Sequence, residues 1–236
     1  MPENILSYLL ISLIPLLFGA VVLFKATPNK KQVKFLLAFS GAFILGISFL
    51  HLLPEVFISN SNYAAYFILG GFFLQVFLEY FSQGIEHGHI HLHESKNKFP
   101  LAIFLSLCIH AFIEGMPINA HAHHHHNENS LLYGIILHKI PIAITLASFL
   151  IASGIKKGKG FTTLLFFCIM APLGMLISEL SIPLEYLNYA TAFVVGMLLH
   201  ISTTILFESS EGHKFNFAKL LTIILGIGLA ILTVSF

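Results

Sequence analysis

A histidine and a carboxylate stand four residues apart in one apolar run, and a second histidine stands in the next run. His110 and Glu114 would share one face of a helix, roughly 6 Å apart along its axis. With a connection between Ile118 and Ser130, His110 and His138 each lie about eight residues, or roughly 12 Å, from that connection. Two imidazoles and a carboxylate at one depth suit zinc and other first-row divalent ions. A structural hydrogen bond between the two helices is the alternative.

The composition places these groups inside a membrane. Of the 236 residues, 56% are hydrophobic and only 10% are charged, and the mean hydropathy is +0.86. Soluble domains carry about 25% charged residues. Ionisable side chains are costly in hydrocarbon, which makes His110 and Glu114 functional candidates. The net charge of +1 says nothing about nucleic acid, but no basic patch could supply phosphate contacts, so we expect no nucleic-acid partner. Cys108 and Cys168 lie in apolar runs and are expected to be core thiols.

Eight apolar segments follow one another along the chain, and each reaches the roughly 20 residues that a membrane-spanning helix needs. We therefore predict an all-α polytopic membrane protein, with residues 1–236 forming a single transmembrane domain. The first segment is expected to be a retained helix and not a signal peptide, because no positive charge precedes it and Lys25 follows it. The segments are 5–24, 33–53, 63–83, 99–118, 130–152, 160–180, 187–208 and 216–235.

The lysines are distributed on one side of these segments. Loops on the cytoplasmic side of a membrane carry an excess of basic residues, so the distribution predicts that both termini lie outside. We expect a multi-pass protein of the cytoplasmic membrane. Lys139 is the exception, because it lies within the fifth segment. The remaining lysines are Lys25, Lys30, Lys31, Lys34, Lys96, Lys98, Lys156, Lys157, Lys159, Lys214 and Lys219.

Further polar side chains lie near the segment ends and are candidates for a metal pathway. His51 and Glu55 stand one turn apart at the outer end of the second segment, where they could instead cap the helix. In the seventh segment, His200 and Glu208 lie on one stripe that could line an exit path or be inert. Glu79, near the inner end of the third segment, can reach water, and we interpret it as structural.

Two histidine-rich loops interrupt the apolar segments, at about 84–98 and 119–129. Tracts of this composition bind transition metals, although a polar, disordered connector is the alternative. Neither loop contains cysteine, so neither predicts a structural zinc site.

Several of the candidate helices contain a proline. Pro54 is expected to end the second helix, because a proline removes a backbone hydrogen bond. Pro117, Pro141 and Pro172 fall in three consecutive segments. At membrane depth, freed carbonyls need protein, water or an ion as partner, which favours interrupted helices around a polar site. Plain kinks are the alternative.

Five motifs together resemble the ZIP (Zrt/Irt-like protein) family of divalent metal transporters, along essentially the whole chain. His-Ala-Phe-Ile-Glu-Gly, starting at His110, resembles the family's His-Asn-x-x-(Asp/Glu)-Gly motif, and His-Lys-Ile-Pro, starting at His138, resembles its His-Glu-x-Pro motif. The resemblance also rests on the histidine-rich loop after the third segment. The other matching stretches are 51–55, 171–174 and 196–208.

The resemblance implies a ZIP-like bundle with a binuclear metal site between the fourth and fifth helices, and often an elevator-like motion of one helix group against another. By position, His110 and His138 match metal ligands of the family. Glu114 matches the carboxylate that the paired sites share.

Departures from the family pattern indicate that the second metal site is absent. Ala111 stands where Asn is usual, Lys139 where an acid is usual and Ile142 where a further ligand is usual, and Ala171 replaces a Glu found in some members. The main site then keeps three protein ligands. Our hypothesis for Lys139 is that it replaces the second ion with a tethered cation paired with Glu114.

From these patterns we expect a transporter that moves a divalent ion toward the cytoplasm through a single-metal site. Zinc is the expected cargo, with iron or manganese as alternatives, since imidazole–carboxylate sites select weakly among them. The expected partners are the ion and the lipid bilayer, and a homodimer is left open. A non-transporting metal-binding sensor or subunit is the alternative. We expect no enzyme, because the His-Glu-x-x-His protease motif is absent.

Overall fold

The computed structural model describes residues 2–25, 29–59, 63–87, 99–118, 130–208 and 217–235, and these residues form helices and short connections without any strand. A π-helical turn (Ser48–Leu52) joins two of the helices, and a 3-10 turn (Ile85–His87) follows a third. The α-helices of the described ranges are α1 (Pro2–Phe24), α2 (Lys30–Ile47), α3 (Leu53–Ser59), α4 (Ala64–Ser82), α5 (Leu101–Gly115), α6 (Ser130–Ala152), α7 (Lys157–Ser181), α8 (Leu184–Glu208) and α9 (Phe217–Ser235).

These helices confirm the predicted all-α membrane fold. Seven spans are long and apolar enough to cross a bilayer, and the shorter apolar helix α5 makes the eighth segment. Because α2, the π-helical turn and α3 run on without a break, they form one span, Lys31–Ile58. The orientation of the bundle, with both termini outside, stays a prediction.

The expectation that Pro54 ends the second helix is wrong. The chain widens into the π-helical turn, where the Leu53 N–H bonds to the carbonyl of Ser48, and then continues as a helix to Ser59. Pro54 thus falls in the first turn of α3, where a missing N–H is tolerated. A π turn is a common way for a helix to absorb such a local interruption.

The other prolines act differently from one another. Pro117 lies beyond the end of α5, which stops at Gly115 and is shorter than its apolar segment. Met116, the residue before Pro117, still has helical dihedral angles (φ −57°, ψ −43°), so the helix stops where Pro117 offers no N–H to continue the hydrogen-bond ladder. Pro141 and Pro172 lie inside α6 and α7, which continue through them. Only one of the three thus ends its helix.

Helix α6 lies at the centre of the bundle. It is the most deeply buried of the long spans, and it packs against α1, α2 and α7. The other extensive pairings are α4 with α8, α2 with α9 and α5 with α7. In contrast, α1, α4 and α9 expose large apolar side chains such as Leu17, Phe73 and Leu232. Surfaces of this kind mark membrane contact, so these helices form much of the lipid-facing exterior.

Lysine side chains tie helix ends together at one end of the bundle. Lys157 Nζ donates to the carbonyl of Phe24, 3.4 Å away, which places the start of α7 beside the end of α1. Lys219 Nζ donates to the carbonyl of Leu206 at 2.9 Å and links α9 to the end of α8. Both lysines stand in the first turn of a helix, so each links the start of one helix to the end of another.

Candidate metal centre

Helices α5 and α6 bring His110, Glu114 and His138 together in the bundle interior. One ligand atom from each side chain lies within 4.8 Å of the others, and all three residues are at most 1% exposed. The two imidazole rings lie 6.1 Å apart between centroids and are nearly perpendicular. His110 Nε2 lies 3.7 Å from Glu114 Oε2, which is too far for a hydrogen bond. A single divalent ion at the centre of this group would be within reach of all three.

Close packing of α5 on α7 determines where Glu114 stands. A Cβ at Gly115 would lie 2.2 Å from the Ala171 carbonyl oxygen, and a Cβ at Gly174 would lie 2.0 Å from the Phe112 carbonyl oxygen. Each contact is with backbone, so only glycine permits this approach. The helix that carries two of the candidate ligands thereby lies in close backbone contact with its neighbour.

Helix α6 presents His138 next to a proline. Pro141 has no N–H and cannot donate to the carbonyl one turn earlier, at Leu137. The carbonyl of Pro141 itself accepts a hydrogen bond from Thr145 Oγ1 at 2.8 Å. The backbone beside His138 therefore carries more acceptor capacity than a regular helix, which favours cations nearby.

The carboxylate of Glu114 is the electrostatic focus of the cluster. Neither of its oxygens accepts a hydrogen bond from a described residue. A buried carboxylate needs a cation or several donors to offset its lost hydration. Lys139 supplies one positive charge that acts on Glu114, and a bound divalent ion would supply another.

Lys139 is fully buried within α6, at 0% exposure. Its Nζ donates no hydrogen bond to the part of the chain that the structure describes, and it lies 4.7 Å from the centroid of the Phe167 ring. That geometry is a cation–π contact. The Lys139 amino group thus lies against an aromatic face and near enough to Glu114 for their charges to interact.

The positions that depart from the family pattern are apolar in the structure as well. Ala111, Ile142 and Ala171 are each fully buried, and their side chains carry no ligand atom. Among the described residues, only the His110–Glu114–His138 group brings three potential ligands into metal-binding range. Among these described residues there is one such donor set, and the absence of a second metal site stays a prediction.

Two polar residues beside the cluster were not identified from the sequence. His110 Nδ1 lies 3.0 Å from Gln75 Oε1, and Gln75 Nε2 donates to Glu86 Oε2 at 2.5 Å. Gln75 and Glu86 are fully buried. A glutamine in the middle of an apolar segment was the available signal for Gln75. Glu86 opens the first histidine-rich loop, where a buried carboxylate was not expected.

Glu86 lies beyond the end of the α4 span, in the 3-10 turn. Burial, followed by repulsion from Glu79, raises the pKa of Glu86 to about 8, although the hydrogen bond from Gln75 works in the opposite direction. Glu114 adds a smaller repulsion. The carboxyl group therefore changes charge at a pH of about 8. Gln75 lies between this group and the candidate ligand His110.

The outer pathway candidates form a separate pair. His51 Nε2 lies 3.8 Å from Glu55 Oε2, and the two side chains are 22% and 26% exposed. His51 stands in the π-helical turn and Glu55 in α3. They do not join the buried cluster, and their part in a pathway stays a prediction.

Of the two inner pathway candidates, His200 has a partner that the sequence analysis did not identify. His200 Nε2 contacts Glu79 Oε2, and its ring packs edge-on against Phe72 at 4.9 Å between centroids. Glu79 thus links α4 to α8 through this contact, and its side chain, 21% exposed, also reaches water, as expected. Glu208 is the last residue of α8, and its side chain lies outside the described residues, as do residues 88–98 and 119–129 of the histidine-rich loops.

Comparison with known families agrees with this architecture. The model of the ZIP zinc transporter family matches residues 86–233, which is more than half of the chain and includes α5 to α8 and most of α9. The chain belongs to the ZIP family. No curated protein matches it significantly. The matched region contains all three candidate ligands and Lys139, so this member of the ZIP family carries its metal-site departures within the family domain itself.

Proposed function

We propose that the protein carries a divalent metal ion across the cytoplasmic membrane toward the cytoplasm, with zinc as the first candidate and iron or manganese as alternatives. One observation carries the proposal: His110, Glu114 and His138 converge, fully buried, between two helices of a ZIP family member. All three ligands come from one chain, so a single protomer is sufficient for the site, whether or not the protein forms a homodimer.

The donor set suits an ion that must arrive and leave. Structural zinc sites are closed by four protein ligands, whereas three protein ligands leave a position for water or an incoming group. Exchange through that position allows binding and release without unfolding the site. Because the ligands bind metal in their deprotonated forms, binding would release protons, and affinity would fall as the pH drops.

The presence of Lys139 is the reason why we propose that the site binds one ion and not two. A fixed ammonium and a second divalent ion near Glu114 would repel each other strongly in a medium of low dielectric. We propose that Lys139 takes the place of a second ion as a tethered cation, with Phe167 and Glu114 as its two attractive contacts.

The direction of transport follows from the lysine distribution, which predicts that the connections after the first, third, fifth and seventh segments face the cytoplasm. His51 with Glu55 would then lie on the entry side, and His200 with Glu79 on the exit side. The histidine-rich loops would collect ions at the two surfaces.

A metal-binding sensor or subunit that does not transport is the second candidate. Uptake of radioactive zinc by proteoliposomes, compared with empty liposomes, separates the two. We expect uptake above the empty control, and competition by unlabelled iron or manganese would rank the metals. Binding of zinc to the purified protein without uptake would favour the non-transporting candidate. We propose no enzymatic activity.

A further inference from the structure

A chain of buried hydrogen bonds connects one candidate ligand to a carboxylate on another element. It runs from His110 on α5 through Gln75 on α4 to Glu86 in the 3-10 turn, over contacts of 3.0 and 2.5 Å. Gln75 and Glu86 are 0% exposed and His110 is 1% exposed. A polar chain in an apolar interior is costly unless its groups are hydrogen-bonded, and satisfied hydrogen bonds of this kind rigidify the groups that they join.

The backbone is shaped to bring Glu86 back into the bundle. Gln83 ends α4 with φ of 54°, and Gly84 follows with φ of 72°, so the chain reverses through two consecutive left-handed residues. Ile85 is then 1% exposed and packs in the core cluster that contains Ala111 and Ile142. The burial of Ile85 in this core cluster places the adjacent Glu86 within hydrogen-bond distance of Gln75.

The hydrogen-bonding capacities of these groups select one arrangement of protons. An ionised carboxylate only accepts, so it requires the NH₂ group of Gln75 to face Glu86. The Gln75 oxygen then faces His110 and also only accepts. His110 must therefore carry its proton on Nδ1, which leaves the lone pair on Nε2, the nitrogen that lies 3.7 Å from Glu114.

We propose that Gln75 and the ionised carboxylate of Glu86 are positioning groups that hold His110 in its Nδ1–H tautomer, so that Nε2 is the nitrogen offered to the metal ion. This inference rests on the proposed metal site. It adds two residues, Gln75 and Glu86, that fix the tautomer of the ligand His110. Partners that fix the tautomer of a metal-binding histidine commonly control affinity by about 10- to 100-fold.

The carboxylate charge is what makes the arrangement unique. An amide or a neutral carboxylic acid at position 86 can both donate and accept, so it also allows the Gln75 side chain to turn over. The NH₂ group would then donate to His110 Nδ1, and the proton would move to Nε2, which could no longer bind metal. Glu86→Gln therefore changes few atoms but removes the preference for the Nδ1–H tautomer of His110.

The first test is made on the wild-type protein without metal. Nitrogen-15 NMR distinguishes protonated from unprotonated imidazole nitrogens, and the His110 signals are assigned as those missing from His110→Ala. At a pH of about 9, one unit above the pKa of Glu86, we expect protonated Nδ1 and unprotonated Nε2. A proton on Nε2 would overturn the inference.

The second test compares Co²⁺ binding by full-length variants, each measured as the difference from His110→Ala, which retains the histidine-rich loops. At a pH of about 8, we expect Glu86→Gln to weaken binding about 10-fold or more. The exchange variant Gln75→Glu/Glu86→Gln should restore it, because a carboxylate at position 75 accepts from both neighbours. Wild-type affinity in Glu86→Gln, or no recovery in the exchange variant, would contradict the positioning role.

The outcomes also separate this inference from the metal site itself. If wild type and His110→Ala bind Co²⁺ equally, the proposed metal site is wrong. The tautomer of His110 in the metal-free protein still decides whether Gln75 and Glu86 act as described. If Glu86→Gln does not fold, the wild-type NMR measurement remains decisive.

Discussion

At the residue scale, the proposal that Lys139 is a tethered cation concerns what the neighbouring carboxylate can bind. Lys139 is fully buried, faces Phe167 and lies near enough to Glu114 for their charges to interact. On this proposal, a divalent ion bound to Glu114 shares that carboxylate with a cation that cannot diffuse away. The proposal would account for one site where the resemblance implied a pair of sites.

Changing the charge at position 139 should change the number of ions bound. We expect Lys139→Glu to bind one more divalent ion than the wild type, because repulsion becomes attraction. Lys139→Ala should flatten the pH dependence of uptake, since it removes a proton-binding group beside Glu114. Lys157→Glu is the matched control, because this lysine lies at a helix end and bonds only a backbone carbonyl among the contacts described.

Equilibrium dialysis with zinc measures the number of ions, and His110→Ala gives the contribution of the loops. Two ions bound tightly at the wild-type site would contradict the tethered-cation proposal. The same conclusion would follow from a Lys139→Ala pH profile equal to that of the wild type.

The candidate ligands could be predicted because their spacing carries the information. His110 and Glu114 share a helix face, and His138 lies at equal depth on the next helix, so simple helix geometry brings them together. Gln75 and Glu86 could not be found in this way. Their contact depends on a chain reversal at Gln83 and Gly84, and no periodic pattern encodes where a loop turns back into a core.

At the scale of elements, the site depends on how closely α5 approaches α7. Gly115 and Gly174 allow backbone contact on both sides of the crossing. The helices themselves were predictable from apolar segments of membrane length. The sequence did not reveal the π-helical turn at Ser48–Leu52, because it arises from how the chain accommodates Pro54 within a packed helix.

An added methyl group at this crossing should loosen the fold. We expect Gly174→Ala to lower the free energy of unfolding by about 1–3 kcal/mol, since its Cβ would meet a backbone oxygen that cannot move aside cheaply. Thermal unfolding in detergent measures the change. Gly158→Ala is the matched control, because nothing lies within 4 Å of its added Cβ. Equal stability of the two variants would show that the crossing is not tight.

At the scale of the whole molecule, orientation determines the direction of transport. The lysine distribution predicts that both termini lie outside. Lys157 and Lys219, which belong to this distribution, each bond the end of another helix.

Cysteine labelling of intact cells tests the orientation. In a background without Cys108 and Cys168, single cysteines at Asn60 or Asn127 should react with an impermeant reagent. A cysteine at Gly158 should react only after the cells are permeabilised. The opposite pattern would reverse the orientation and, with it, the proposed direction of transport.

The most direct test of transport through the buried cluster is zinc uptake by proteoliposomes that contain Glu114→Gln. The matched control is Glu179→Gln, which changes a carboxylate that accepts a hydrogen bond from Tyr8 at an exposed position. We expect uptake to fall to the level of empty liposomes in Glu114→Gln and to remain near wild type in Glu179→Gln. Wild-type uptake by Glu114→Gln would mean that the ion crosses the membrane by another route.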